Sequence, residues 1–227
     1  MPDYRVISMG TLAANSLWNE SAPVRTGHCT TTLIEADDAL IIVDPSLPAQ
    51  VLAVRLHELS GKLPTDVTHV FCTGFSDEHT GGMDAFPSAT WLCSETELEQ
   101  AREAIGDDLH AARTAQATDA VASLERLELL LGRMHSCPDS LVDGVDLFPL
   151  PGVRPGTAGL LLVQPTSTVL ISGDAIASSD HLSKGQVLPG CFNREQAMES
   201  FKEAIEIADV IVPGRGNVVL NPLRMRP

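Results

Sequence analysis

His79 is the residue of this 227-residue chain best equipped for chemistry, because an imidazole can bind a metal ion or move a proton near neutral pH. It stands beside Glu78 in the segment THVFCTGFSDEHTGG, residues 68 to 82. There an apolar stretch from His69 to Cys72 runs through Thr73 into a polar turn and then the pair Gly81-Gly82. Strand, turn, histidine and glycine pair together make the frame of a metal-binding loop that carries few metal-binding side chains. A transition-metal site needs three or four ligands in defined geometry with supporting partners, so His79 alone does not make one. It reads as a lone ligand, a general base or a hydrogen-bonded structural group. Asp180-His181 and His28 are the side chains whose spacing lets them swing into the same cleft as substitute ligands. His57, His110 and His135 fall in helical stretches and read as surface or boundary residues, and His69 opens a strand. Asp77 and Thr80 read as solvent-facing or capping residues. Ser76 has no nucleophile elbow around it, and Cys72 lies in an apolar strand where a thiol is unreactive, which disfavours a serine or cysteine hydrolase.

The elements that must position these residues follow an α/β rhythm. Strand and hairpin signals occupy Tyr4 to Met9, Cys29 to Glu35 and Leu40 to Val43, the last two joined by Ala36-Asp37-Asp38-Ala39. Leucines 52, 56 and 59 recur at helical spacing, with Pro48 before them and Gly61 after. A strand from Thr68 to Cys72, a helix opening at Gly81 and a strand from Thr90 to Cys93 follow. Ser94 and Glu97 form a capping box for a helix carrying Leu98, Ala101, Ile105 and Leu109. A second stripe runs through Val121, Leu124, Leu127, Leu131 and Met134, which makes residues 94 to 136 a helical insert. Strands then return at Leu141 to Leu150, Gly159 to Gln164 and Thr168 to Ser172. A helix capped by Asn193 and Gln196 turns Ala197, Phe201 and Ile205 inward, and a last strand, Val210 to Val212, ends at Pro213-Gly214.

Lys plus Arg 15 against Asp plus Glu 30 leaves a formal charge of −15, which repels phosphate backbones and anionic lipid. Nucleic acid and membrane are therefore not expected partners, and oligomeric state, a dimer included, is left open. Five cysteines, Cys29, Cys72, Cys93, Cys137 and Cys191, form no CxxC pair and read as reduced core residues of a cytoplasmic protein. No run approaches the roughly eighteen apolar residues of a membrane span, and no basic leader opens the chain. The expectation is an untargeted protein with a single domain over residues 1–227.

Five landmarks, in order, resemble the metallo-β-lactamase superfamily. The strand Leu40-Ile41-Ile42-Val43 ends in Asp44, and the loop Thr73-Gly74-Phe75-Ser76-Asp77-Glu78-His79-Thr80-Gly81-Gly82 stands where the family has Thr-His-x-His-x-Asp-His-x-Gly-Gly. Pro151-Gly152-Val153-Arg154-Pro155-Gly156 matches a Pro-Gly-His-x-Pro-Gly turn, Ile171-Ser172-Gly173-Asp174 a strand ending in Gly-Asp, and Pro213-Gly214-Arg215-Gly216 a Pro-Gly-His-Gly turn. The resemblance implies a four-layer αββα sandwich with the helical insert, and structural roles for Asp44, Gly81 and Gly82. It also implies that Gly74, Ser76, Val153 and Arg215 occupy positions where the family has histidine ligands. Glycine and valine offer no lone pair, serine is a poor zinc ligand, and arginine stays protonated.

The resemblance thus leaves Glu78, His79 and Asp174 as groups able to coordinate, with Arg215 facing them. Two converging carboxylates repel unless a cation lies between them, and the guanidinium of Arg215 can be that cation, with Arg154 as a second. The expected site is a metal-free cluster of Glu78, His79, Asp174 and Arg215, flanked by Ser76 and Arg154, with no cofactor. The expected function is a non-catalytic or ligand-binding homologue, with a small anion as the ligand of the two arginines. The alternative is a hydrolase of an ester, thioester, amide or phosphoester. It would hold one zinc, iron or manganese ion on Glu78, His79, Asp174 and His181.

Overall fold

The computed structural model describes residues 1–224. The first half runs β1 (Asp3–Ser8), β2 (Thr31–Ala36), β3 (Ala39–Val43), α1 (Ala49–Ser60), β4 (His69–Cys72), α2 (Asp77–Thr80) and β5 (Thr90–Cys93). The insert contributes α3 (Glu95–Thr114), α4 (Thr118–Leu131) and β6 (Met134–Ser136). The second half holds β7 (Ser140–Val142), β8 (Val145–Pro149), β9 (Ala158–Val163), β10 (Thr168–Gly173), α5 (Ser179–Lys184), α6 (Arg194–Ile207), β11 (Val210–Pro213) and β12 (Val219–Leu220).

The strands form two six-stranded mixed sheets, ordered β1-β2-β3-β4-β5-β6 and β12-β11-β10-β9-β8-β7. β3, β4, β5 and β6 pair in parallel, as do β10 and β11, so the chain must cross over between them. Alternation along each strand then decides which layer it feeds. Ile41, Val43 and Phe71 turn toward Leu160, Leu162, Val169 and Ile171 of the other sheet. Their neighbours Ile42, Val70 and Cys72 turn outward to Leu52 and Leu56 of α1 and Leu98 of α3. In the second sheet, Leu170 and Ile211 face outward against Phe201 and Ala204 of α6. Both faces of both sheets are buried, which is why these strands read as continuous apolar runs. The result is the expected αββα sandwich.

Several boundaries differ from the sequence reading for physical reasons. The helix expected to open at Gly81 is a single 3-10 turn, Met83–Ala85, capped by Gly82. The single turn of α2 precedes it, and Gly81 and Gly82 press against the chain after β3. A Cβ on Gly81 would stand 2.3 Å from the Ser46 carbonyl oxygen, and one on Gly82 2.3 Å from that of Leu47. Thr80 is fully buried, its hydroxyl donating to the Ser76 carbonyl at 3.0 Å, so it is no solvent residue. Leu59 of α1 is exposed while Leu52 and Leu56 carry the contact. Met134 and His135 belong to the edge strand β6 and not to a helix. The run from Leu141 to Leu150 is a hairpin split at Asp143-Gly144, a turn pair that an apolar count overlooks. β12 is a two-residue strand too short to leave a sequence signal.

The Ser94–Glu97 capping box forms only by half. Ser94 accepts the Glu97 backbone N–H at 3.2 Å. The Glu97 carboxylate, however, points into the loops around the site and leaves the Ser94 N–H alone. In α6, likewise, Asn193 accepts the backbone N–H of Gln196 at 3.1 Å, and the Gln196 side chain takes no part in the cap.

Candidate functional site

The strand ends of β3, β4 and β10 and the turn after β11 converge on one buried cluster. Asp44 follows β3 at φ 48°, and its carboxylate accepts the Thr73 backbone N–H at 2.8 Å and the Thr73 hydroxyl at 2.7 Å. This fastens the end of β3 to the loop that leaves β4. Burial pushes the Asp44 carboxyl up to about 7, against the lowering effect of the Thr73 hydrogen bonds. His79, on α2, is almost wholly buried. Its Nδ1 lies 2.8 Å from the Ser76 hydroxyl and its Nε2 3.8 Å from Asp174 Oδ2. Burial drives the imidazole down to about 3 although Asp174 pulls the other way, so it is neutral at ordinary pH.

Arg215 occupies the floor of the cleft with 4% of its surface exposed. Its Nη1 donates to Asp174 Oδ1 at 2.7 Å, to the Cys29 sulfur at 2.9 Å and to the Gly214 carbonyl at 3.1 Å. Its Nη2 donates to Glu78 Oε2 at 2.5 Å. Burial alone would lower the guanidinium's pKa, but Asp174, Cys29 and Glu78 outweigh it and hold the group above its ordinary value. Its Nε has no partner among the described residues. The cluster expected from the sequence, Glu78, His79, Asp174 and Arg215 with Ser76 beside it, is therefore brought together.

Arg154 is placed elsewhere. Its Nε is bonded to Glu97 and its Nη2 donates to the Phe75 carbonyl at 2.9 Å, so it does not join Arg215 at the two cleft carboxylates. Glu97 is fully buried and also accepts the N–H groups of Phe75 at 2.9 Å and Gly156 at 3.1 Å, clamping the two loops together. A side chain on Gly74 would begin 3.2 Å from both the Arg154 Cδ and the His79 Nε2. Arg154 and His79 thus fill the space in front of that glycine. His181 does not reach the cluster either: it is buried with its Nδ1 2.8 Å from the Ser178 hydroxyl. His28 is half-buried, its ring 3.3 Å from the Thr26 carbonyl and 3.2 Å from that of Met9.

Among the described residues, Cys29, Asp44 and His79 are the side chains whose positions could hold a metal ion, with one donor atom from each lying within 4.8 Å of the others. The sequence alone makes Cys29 a core residue, and the family resemblance gives Asp44 a structural role. The signal for Cys29 was faint, since it lies far from the loop in sequence and meets it only in the fold, where its N–H donates to Ser46 Oγ at 2.7 Å and to the Glu78 carbonyl at 3.3 Å. Burial raises its thiol pKa well above the ordinary range, although Arg215 draws it down. Glu97 was hidden by its own spacing, because a glutamate three residues after a serine is indistinguishable from a cap.

The metallo-beta-lactamase superfamily profile matches residues 24–215. Among solved structures, a Thermotoga maritima protein assigned to the metallo-beta-lactamases superposes with a TM-score of 0.68 at 20% identity, over 96% of this chain and 99% of its own. AidC, a dizinc quorum-quenching lactonase, superposes at 0.67 with 16% identity over 85% of this chain and 74% of its own. The B. thuringiensis protein AiiA, with N-decanoyl-L-homoserine bound at its active site, gives 0.65 and 19% over 94% and 92%. At these identities the superpositions speak for the fold, and the profile match spans most of the sequence. No helix among the described residues is long and apolar enough to cross a membrane. Profile, two-sheet architecture and the order of the loops agree: the chain belongs to the metallo-β-lactamase superfamily.

Proposed function

We propose that this chain is a ligand-binding member of its superfamily whose cleft works without a metal ion. The observation that carries the reading is the Arg215 guanidinium seated between Asp174 Oδ1 at 2.7 Å and Glu78 Oε2 at 2.5 Å. Two carboxylates that would otherwise demand a cation already have one, and it is covalently part of the chain. The remaining donors fit a metal poorly. Gly74 and Val153 have no donor atoms in their side chains, and Ser76 is engaged with His79. The group of Cys29, Asp44 and His79 has the Arg215 Nη1 2.9 Å from its sulfur, so an ion there would lie beside a fixed positive charge. Both Asp44 oxygens are already taken by Thr73. Without a metal the fold has no evident group to bring a water's pKa toward neutrality. An anion on Arg154 and Arg215 is not part of this proposal, because both guanidiniums are already matched by Glu97, Glu78 and Asp174.

Metal analysis of protein prepared without chelator tests the reading. Zinc, iron and manganese are expected far below one equivalent, and a stoichiometric content of any of them overturns it. One observation favours a second reading, the proximity of Cys29, Asp44 and His79. If that group holds a single ion, with Arg215 displaced, the protein is a mononuclear hydrolase of an ester, thioester, amide or phosphoester. Its metal would then be lost on Cys29→Ser.

A further inference from the structure

Beside the arginine cluster lies a cavity of about 220 Å³ that the ion pairs do not fill, lined in part by Leu12, Asn15, Trp18, Arg25, Asp180 and Arg215. It is roofed by the stretch between β1 and β2, which folds back on itself through a bridge between Thr11 and His28. We propose that this chamber binds a small, uncharged, planar molecule through a hydrogen-bond acceptor such as a ketone or tertiary-amide oxygen. The proposal rests on the ligand-binding reading above and names its ligand class.

The polar anchor is Asn15, only 3% exposed, whose Oδ1 accepts the Leu17 N–H at 3.0 Å and so caps the short turn Ser16–Trp18. Its amide NH2 has no acceptor among the described residues. The NH2 is not itself fully buried, and the residue lines the cavity, so an acceptor entering there can take its hydrogen bond. The flat wall is Trp18, 57% exposed yet fixed in place. Its Nε1 donates to Asp180 Oδ2 at 2.8 Å, and the Arg25 guanidinium lies 5.4 Å from the ring centroid. An exposed indole held by a hydrogen bond offers a stacking surface with little ordering left to lose.

Charge selects against an anion, and the Asn15 donor selects against a cation. The two guanidiniums lining the chamber are paired with Glu20, Glu78 and Asp174, and a fourth carboxylate, Asp180, lies in the wall bonded to Trp18, so the net local charge is negative and repels an anion. A donor-only cation such as an amidinium would leave the Asn15 NH2 unpaired and would meet the Arg25 and Arg215 guanidiniums in the wall. A neutral acceptor satisfies both conditions.

Acetophenone, benzoate and benzamidine share one planar outline with neutral, negative and positive polar ends, and titrating each by calorimetry tests the proposal. Acetophenone is expected to bind saturably and to shift the indole N–H resonance of Trp18, but not that of buried Trp91, with both ions weaker by roughly tenfold or more. Asn15→Asp keeps the cap acceptor and removes the donor. It is expected to weaken acetophenone by roughly tenfold and strengthen benzamidine. Ser179→Phe, an exposed rim position, is expected to block all three should the first variant fold poorly. No saturable acetophenone binding, tighter benzoate binding or an indifferent Asn15→Asp variant overturns the assignment. Metal content measured on the same preparation tells failure of this ligand class from failure of the metal-free reading.

Discussion

At the scale of single residues, Arg215 is the group on which the cleft's charge balance depends. Replacing it with methionine leaves Asp174 and Glu78 converging with no cation, and removing one partner of a buried pair costs about 3–5 kcal/mol. Glu78 is 40% exposed, so solvent relieves its share and the lower end is expected for Arg215→Met in urea denaturation. Adding Asp174→Asn to that variant should recover part of the loss, because the amide carries no charge to leave unpaired. Additive losses would mean that the ion pair is not what stabilises the site. His79 gives a second handle. Its folded pKa of about 3 lies below the ordinary 6.5, so its contribution to stability is present above pH 6.5 and is lost as pH falls toward 3. The penalty of His79→Asn should therefore shrink as pH is lowered through that window in denaturation series. Asp44 works with the opposite sign, since its folded value of about 7 lies above the ordinary 3.8 and stability is lost as pH rises between them. It is present in both proteins and cancels from the comparison.

At the scale of elements, the loop after β4 is held by packing as much as by polar bonds. Gly81 lies so close to the Ser46 carbonyl that even a methyl group needs the backbone to move. Gly81→Ala is expected to cost about 1–3 kcal/mol, the range for overpacking a close contact, read as a lower urea midpoint. An unchanged midpoint would mean that the loop is softer than its contacts imply. The strand Leu40 to Val43 was legible in the sequence, as were α1, α6, β5 and both insert helices, whereas the division of Ile41 and Val43 from Ile42 was not, because a strand buried on both faces shows no alternation. Where reading by pattern failed, the element was short or its partner distant. Helical periodicity cannot show in a single turn such as α2, and β6 is a strand only because β5 lies alongside it.

At the scale of the whole molecule, two sheets buried on both faces supply the stability, and on the metal-free reading proposed above no ion adds to it. A chelator is accordingly expected to leave the thermal midpoint unchanged, and added zinc to raise it by no more than its weak surface binding allows, both read by calorimetry. A midpoint that drops on chelation would show metal-linked folding. The sequence by itself determined the α/β order of elements, because periodicity and apolar runs are local properties that survive in one dimension, and the resemblance of its landmarks to the superfamily implied the sandwich. It also determined that Arg215 faces Glu78 and Asp174, because five spaced landmarks fix the loops that carry them. Only the tertiary structure decided that Arg154 turns to Glu97, that Cys29 lies against the guanidinium, and that Asn15 and Trp18 frame a cavity beside it. Those contacts join residues tens to well over a hundred positions apart. Nothing in the local sequence distinguishes a buried carboxylate with a partner from an ordinary helix cap; packing in three dimensions does.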